Sequence, residues 1–146
     1  MIYRSIKLAL TVFLLSYFSY TYSAGGVAQS LSKHDSKVYI VSPKNNDTVE
    51  SPVTVIFGLD NMEISPAGVK KKFAGHHHLL IDVKKLPDLS MPIPADENHM
   101  HFGNGQTSVV IELKKGMHTL QLLMGDYVHI PHNKPVYSEK ITINVQ

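Results

Sequence analysis

The chain has 146 residues and contains neither cysteine nor tryptophan. Without cysteine there is no disulfide, no thiolate metal ligand, no thiol nucleophile and no lipid-modified cysteine, so the hydrophobic core must hold the domain unaided. Arginine is almost missing as well. Of fourteen basic residues, Arg4 and Lys7 lie near the start, while all twelve acidic residues lie beyond residue 28. The remainder therefore sets twelve lysines against twelve carboxylates. Nucleic-acid binding is not expected, because it relies on clustered cations and on Arg in particular. Several catalytic signatures are also lacking. There is no Gly-x-Ser-x-Gly elbow, no His-Glu-x-x-His helix, and no strand-then-helix setting for a phosphate loop.

The one sustained apolar run, Leu8 to Leu15, follows Arg4 and Lys7 and precedes small residues at Ser23-Ala24 and Val27-Ala28. This order of charged, apolar and small-residue regions predicts a secretory signal peptide over residues 1–28, cleaved after Ser23 or Ala28. Ser16, Ser19, Thr21 and Ser23 interrupt the run short of the ~20 residues a spanning helix needs, so no stable membrane insertion is expected after cleavage. The expected location is periplasmic or secreted. Residues 29–37 are small and polar and read as a flexible leader, and residues 38–146 are long enough for a single domain.

In that domain the apolar residues follow a period of two. Val53, Val55 and Phe57 share one face, as do Thr107, Val109, Ile111 and Leu113, then His118, Leu120, Leu122 and Met124, and finally Ile141, Ile143 and Val145. Turn residues separate these runs, at Asn45-Asn46-Asp47, Lys114-Lys115-Gly116 and Gly125-Asp126. No helical period of useful length occurs. The pattern predicts an all-β chain, an immunoglobulin-like antiparallel β-sandwich of about seven strands, with a small cupredoxin-like Greek-key barrel as the alternative. One segment is too long for a connector. Lys84 to Gly105, rich in Pro and Gly, reads as a loop that carries function.

Histidine is what the chain has in excess, nine in all. Three are consecutive in Gly75-His76-His77-His78-Leu79-Leu80-Ile81-Asp82-Val83, a predicted strand. Alternation puts His77 with the core face of Leu79, Ile81 and Val83, and projects His76 and His78 together on the other. His99 and His101 repeat the two-residue spacing, and His129 lies in a later loop. Neutral imidazole is the commonest protein ligand for copper and zinc, and paired imidazoles on one face of a strand can converge on one ion. His76, His78, His99, His101 and His129 are therefore the candidate metal ligands, with copper or zinc as the expected metal. Met91 and Met100 offer thioethers nearby. His118, in register with Leu120 and Leu122, reads as a satisfied core histidine, and His34, in the leader, carries little weight as a ligand. Asp82 and Asp126 can either orient an imidazole or cap a turn.

The runs GHHHLLID at 75–82, HFGNGQT at 101–107 and HTLQLLMGD at 118–126, followed by Val128-His129-Ile130-Pro131-His132, resemble a bacterial exported family, domain of unknown function 4399. The similarity extends roughly from Val38 to Val145. The resemblance implies one small β-rich domain behind a signal peptide, with no established activity. It implies characteristic positions at His76, His77, His78, His101, His118, Asp126, His129 and His132, and His99 is less typical of it.

Two functions follow as expectations. The first is a non-enzymatic exported protein that binds copper or zinc for carriage, buffering or delivery to a metal-handling partner. The second is a metal-free module that recognises an envelope protein or glycan, with the histidines serving as hydrogen-bonded scaffold. Ligand nitrogens should converge within a few ångströms, whereas scaffold imidazoles should each face a carbonyl or carboxylate. Coordination is expected to weaken below about pH 6, where imidazole takes up a proton.

Overall fold

The structure is a computed structural model that describes residues 28–146, so the expected signal peptide lies, but for Ala28, outside the described residues. Nine strands follow in order, with no helix among the described residues: β1 (Lys37–Ser42), β2 (Thr48–Val49), β3 (Val53–Asp60), β4 (Glu63–Ile64), β5 (Ala74–Ile81), β6 (His99–His101), β7 (Ser108–Ile111), β8 (Gly116–Gly125) and β9 (Ile141–Val145). They form two sheets. One is three-stranded in the order β1-β3-β7, and the other runs β2-β9-β8-β5-β4, with β6 also paired to β5. The seven strands of three or more residues are joined antiparallel, and only the two-residue β2 and β4 pair parallel to their neighbours. The sheets stay separate, so the architecture is the β-sandwich and not the barrel.

The core lies where alternation places it. Val38 and Ile40 of β1, Val53, Val55 and Phe57 of β3 and Ile111 of β7 face Leu79 and Ile81 of β5, Leu120, Leu122 and Met124 of β8, and Ile143 and Val145 of β9. The intervening residues Lys37, Tyr39, Val41, Thr54 and Ile56 are exposed, which is the signature of sheets buried on one side.

β5 departs from that rule, because all eight of its residues are buried. Its second face is covered by the long segment after Asp82. Ile93, with Val83, Leu86 and Leu89 around it, packs on Leu80 and Leu123 in a second apolar cluster. The segment then returns as β6 alongside β5. Leader residues also lie against this end of the sandwich: the Gln29 side-chain amide donates to the carbonyls of Leu89 and Pro131, and Asn133 N donates to Ser30 O.

Leu122 is fully buried at the centre of the main core. Leu122→Ala is expected to cost roughly 2–5 kcal/mol, read as a lowered urea midpoint with the far-ultraviolet β signal retained below the transition.

Candidate metal centre

Two neighbouring strands, β5 and β6, and the loop after β8 bring the imidazoles together. His76 and His78 project from one face of β5 with ring centroids 4.9 Å apart. β6 runs antiparallel to β5 in a register that sets His101 opposite His78. The His101 ring thereby comes 4.9 Å from that of His76 and 5.1 Å from that of His78. One nitrogen from each of these three side chains lies within 4.8 Å of the others. Ligands about 2.0–2.1 Å from a tetrahedral ion stand roughly 3.4 Å apart, so small ring movements complete the set.

Glycine makes the space. Gly125 of β8 pairs with His76, and a methyl there would fall 2.7 Å from His78 Cε1. A methyl at Gly103 would strike the His101 ring, 2.6 Å from Nε2. Periodicity reads these two positions only as a strand end and a turn. Their role across the strands has no local signal in the sequence.

The fourth imidazole arrives on the loop after β8. His129 lies 4.7 Å from His101, 5.1 Å from His76 and 6.1 Å from His78, ring centre to ring centre. Its backbone is left-handed, at φ 69°. Asp126 holds the loop in that form, its Oδ1 accepting from Val128 N and Ile130 N at 3.0 Å and its backbone carbonyl from His129 N at 2.9 Å. Asp126 therefore caps the turn, and Ser30 Oγ donates to its other oxygen at 2.6 Å.

The nine histidines divide by how their nitrogens are partnered. His77 lies on the core face, 5.0 Å from Phe57, with Nδ1 3.3 Å from Gln106 O. His118 Nδ1 meets Asp82 and its Nε2 meets Lys114 O, at 2.7 and 2.8 Å, near the opposite end of β8 from Gly125. His132 is buried, with Nε2 3.1 Å from Ala74 O. His99 stands apart from the cluster: it pairs across the ladder with Leu80, one side-chain step beyond His78, and its Nδ1 bonds Asp96 at 2.8 Å. His34 sits beside Asp35. Those five meet the scaffold criterion. His77 Nε2 and His132 Nδ1 are nonetheless buried without a partner, as is His78 Nδ1, but His76 differs from all of them in that both of its ring nitrogens are buried with no partner. No thioether joins the group from β6, because Met100 turns into the main core, and Met91 is exposed in the long loop.

The burial is graded. His76 and His78 form the floor, His129 is half-buried and His101 is exposed, so the cluster opens to solvent at one rim. The larger grooves, of about 480 and 490 Å³, lie elsewhere, between β1 and residues 137–141 and beside Asp82 and His118. Neither of these grooves is lined by the clustered imidazoles.

Burial pushes His76 and His77 down to about 4, and His78 to about 2, from an ordinary 6.5. The mutual repulsion of neighbouring imidazolium rings adds to this at His76 and His78. Burial also lowers His101 and His132. Folded-state values below the unfolded 6.5 mean that protons favour the unfolded chain. The stability these rings contribute is complete above about pH 6.5 and is lost as the pH falls toward 4. Denaturation midpoints of the metal-free protein should therefore drop between pH 7 and pH 4.5, by up to about 1.4 kcal/mol per pH unit for each buried histidine. A flat profile would mean that the rings are solvated.

No curated protein and no solved structure matches the chain. One family does, over residues 55–146, a stretch that runs from within β3 to the C-terminus and contains all four clustered imidazoles together with Asp126 and both glycines. By that match the chain belongs to the family described as a domain of unknown function, DUF4399.

Proposed function

We propose that this is an exported β-sandwich that binds a transition metal, copper or zinc, through His76, His78 and His101 with His129 at the rim, and that it carries, buffers or delivers the ion without breaking a bond. One observation carries the reading. Three imidazole nitrogens converge within 4.8 Å, and those of His76 are buried with no hydrogen-bond partner. An unsatisfied buried polar atom costs about 1–3 kcal/mol, and a bound ion supplies the missing interaction. The donor set suits this chemistry, since imidazole is a good ligand for both copper and zinc, with Cu(II) the tighter of the two. The solvent-facing His101 gives an ion a route in and out, as carriage requires and a closed structural site does not. The histidines with carbonyl or carboxylate partners serve as scaffold in this reading, and the lack of any such partner at His76 supports the metal over the metal-free interaction module.

Titration of residues 29–146 with Zn(II) and Cu(II) by calorimetry should give one site tighter than micromolar and raise the melting temperature. At a free metal concentration of 100 times Kd the stabilisation is about 2.7 kcal/mol. Weak, non-saturating heats without stabilisation would return the histidines to the fold. His76→Ala with His78→Ala should abolish binding and leave a folded sandwich; unfolding of that variant would favour the scaffold role. The pH limit also moves. Because His76 and His78 stay unprotonated well below 6, binding should persist at pH 5 and fail as the pH approaches about 4. Loss of binding already at pH 6 would place the ligands on solvated histidines.

A further inference from the structure

His118 lies away from the cluster, where the start of β8 meets the exit of β5, and both of its ring nitrogens face acceptors. Nδ1 is 2.7 Å from Asp82 Oδ2, and Nε2 is 2.8 Å from the carbonyl oxygen of Lys114. A carbonyl only accepts, and so does an ionised carboxylate. A neutral imidazole has one N–H and a lone pair on its other nitrogen, so it satisfies one of these contacts and sets lone pair against lone pair at the other. The imidazolium, with two N–H groups, satisfies both. The two contacts have the length of charge-assisted hydrogen bonds.

The acceptors belong to segments that are distant in the chain. Asp82 follows β5 with a left-handed backbone, φ 58°. Its amide donates to Thr119 O at 2.9 Å, and its Oδ1 accepts from Thr119 N at 2.8 Å, so its other oxygen is aimed at the ring. Lys114 lies in the turn that carries the chain from β7, in the three-stranded sheet, to β8 in the other. One ring thus fastens the crossover between the sheets to the end of β5.

The charged groups around the ring favour a cation there. His118 lines a groove of about 490 Å³ together with Asp82, Glu97 and Glu112, and Lys114 is the one lysine in that lining. From β9 it meets Ile143 across the ladder, while the Lys140 ammonium close by is taken up by the carbonyls of Val83 and Lys84. Burial opposes a charge on the ring, but the bonds to Asp82 and Lys114 outweigh it and hold the pKa above its ordinary 6.5.

We infer that His118 is a pH-sensitive clasp, an imidazolium that closes the β7–β8 crossover onto the end of β5 and gives up one of its two bonds when it loses a proton. The inference does not depend on the metal reading. Because the folded-state value is raised, the stability the clasp contributes is complete below about pH 6.5 and is lost as the pH rises through that value. This is the opposite sense from the buried rings of His76, His77 and His78.

The test is a pH titration of the ring nitrogens of the metal-free protein by NMR, with the His118 signals assigned by their absence from His118→Gln. At pH 6 both nitrogens should carry protons, and the midpoint should lie above 6.5. A ring already neutral at pH 6, or a midpoint at or below 6.5, would overturn the proposal. The backbone amides of Lys115 and Thr119 should shift with the same midpoint, and amides that hold still while the ring titrates would equally overturn it. Asp82→Asn reverses the preference. Its amide oxygen keeps the bond from Thr119 N, its NH2 donates to Nδ1, and Nε2–H donates to Lys114 O, so the neutral ring now satisfies every contact. The midpoint should then fall below 6.5, and an unchanged midpoint would count against the clasp. Should that variant fail to fold, the wild-type titration decides the matter alone.

Discussion

The structure depends on a strand that is buried on both sides yet carries three consecutive imidazoles. β5 lies between the three-stranded sheet on one face and the folded-back segment from Asp82 to His99 on the other, so none of its side chains escapes to water. A leucine there contributes its transfer energy and no more. An imidazole must be neutral and must find partners, and the histidines of this chain do so by two routes. His77 faces the core and uses the Gln106 carbonyl. His76 and His78, one step to either side on the opposite face, turn toward other imidazoles.

The surroundings of these two rings are shaped for that purpose. Glycine at 103 and 125 admits the rings of His101 and His78 where any side chain would displace them. β6, only three residues long, is held by the ladder in the register that delivers His101 and leaves His99 to Asp96. A left-handed residue brings His129 over the rim, fixed by a carboxylate that is itself anchored by Ser30. Such supporting contacts decide whether donors meet within an ångström or merely share a neighbourhood. They come from four separate stretches of chain.

The family match spans the site as a unit. It begins within β3 and so leaves β1 and β2 outside, while every residue discussed at the cluster except Ser30 falls within it. The cluster and the sheet that bears it therefore belong to the region the family shares, and the sandwich supplies the rigid platform on which short loops complete a site.

The sequence by itself determined the all-β class, the core faces of β3, β8 and β9 and the joint projection of His76 and His78, because period-two alternation is local and is read from neighbours. It also identified His101 and His129 as residues of the right chemistry. Only the tertiary structure decided which candidates meet. Spacing treats His99 and His101 alike, and the β5–β6 register separates them by one side-chain step. The same spacing offers Met100 as a ligand, and the pleat turns it into the core. Whether Asp126 caps a turn or orients a ring, and what Gly103 and Gly125 are for, depends on strands and loops far apart in sequence. Pairing register and loop return are set by the global burial of apolar surface, and no local pattern encodes them.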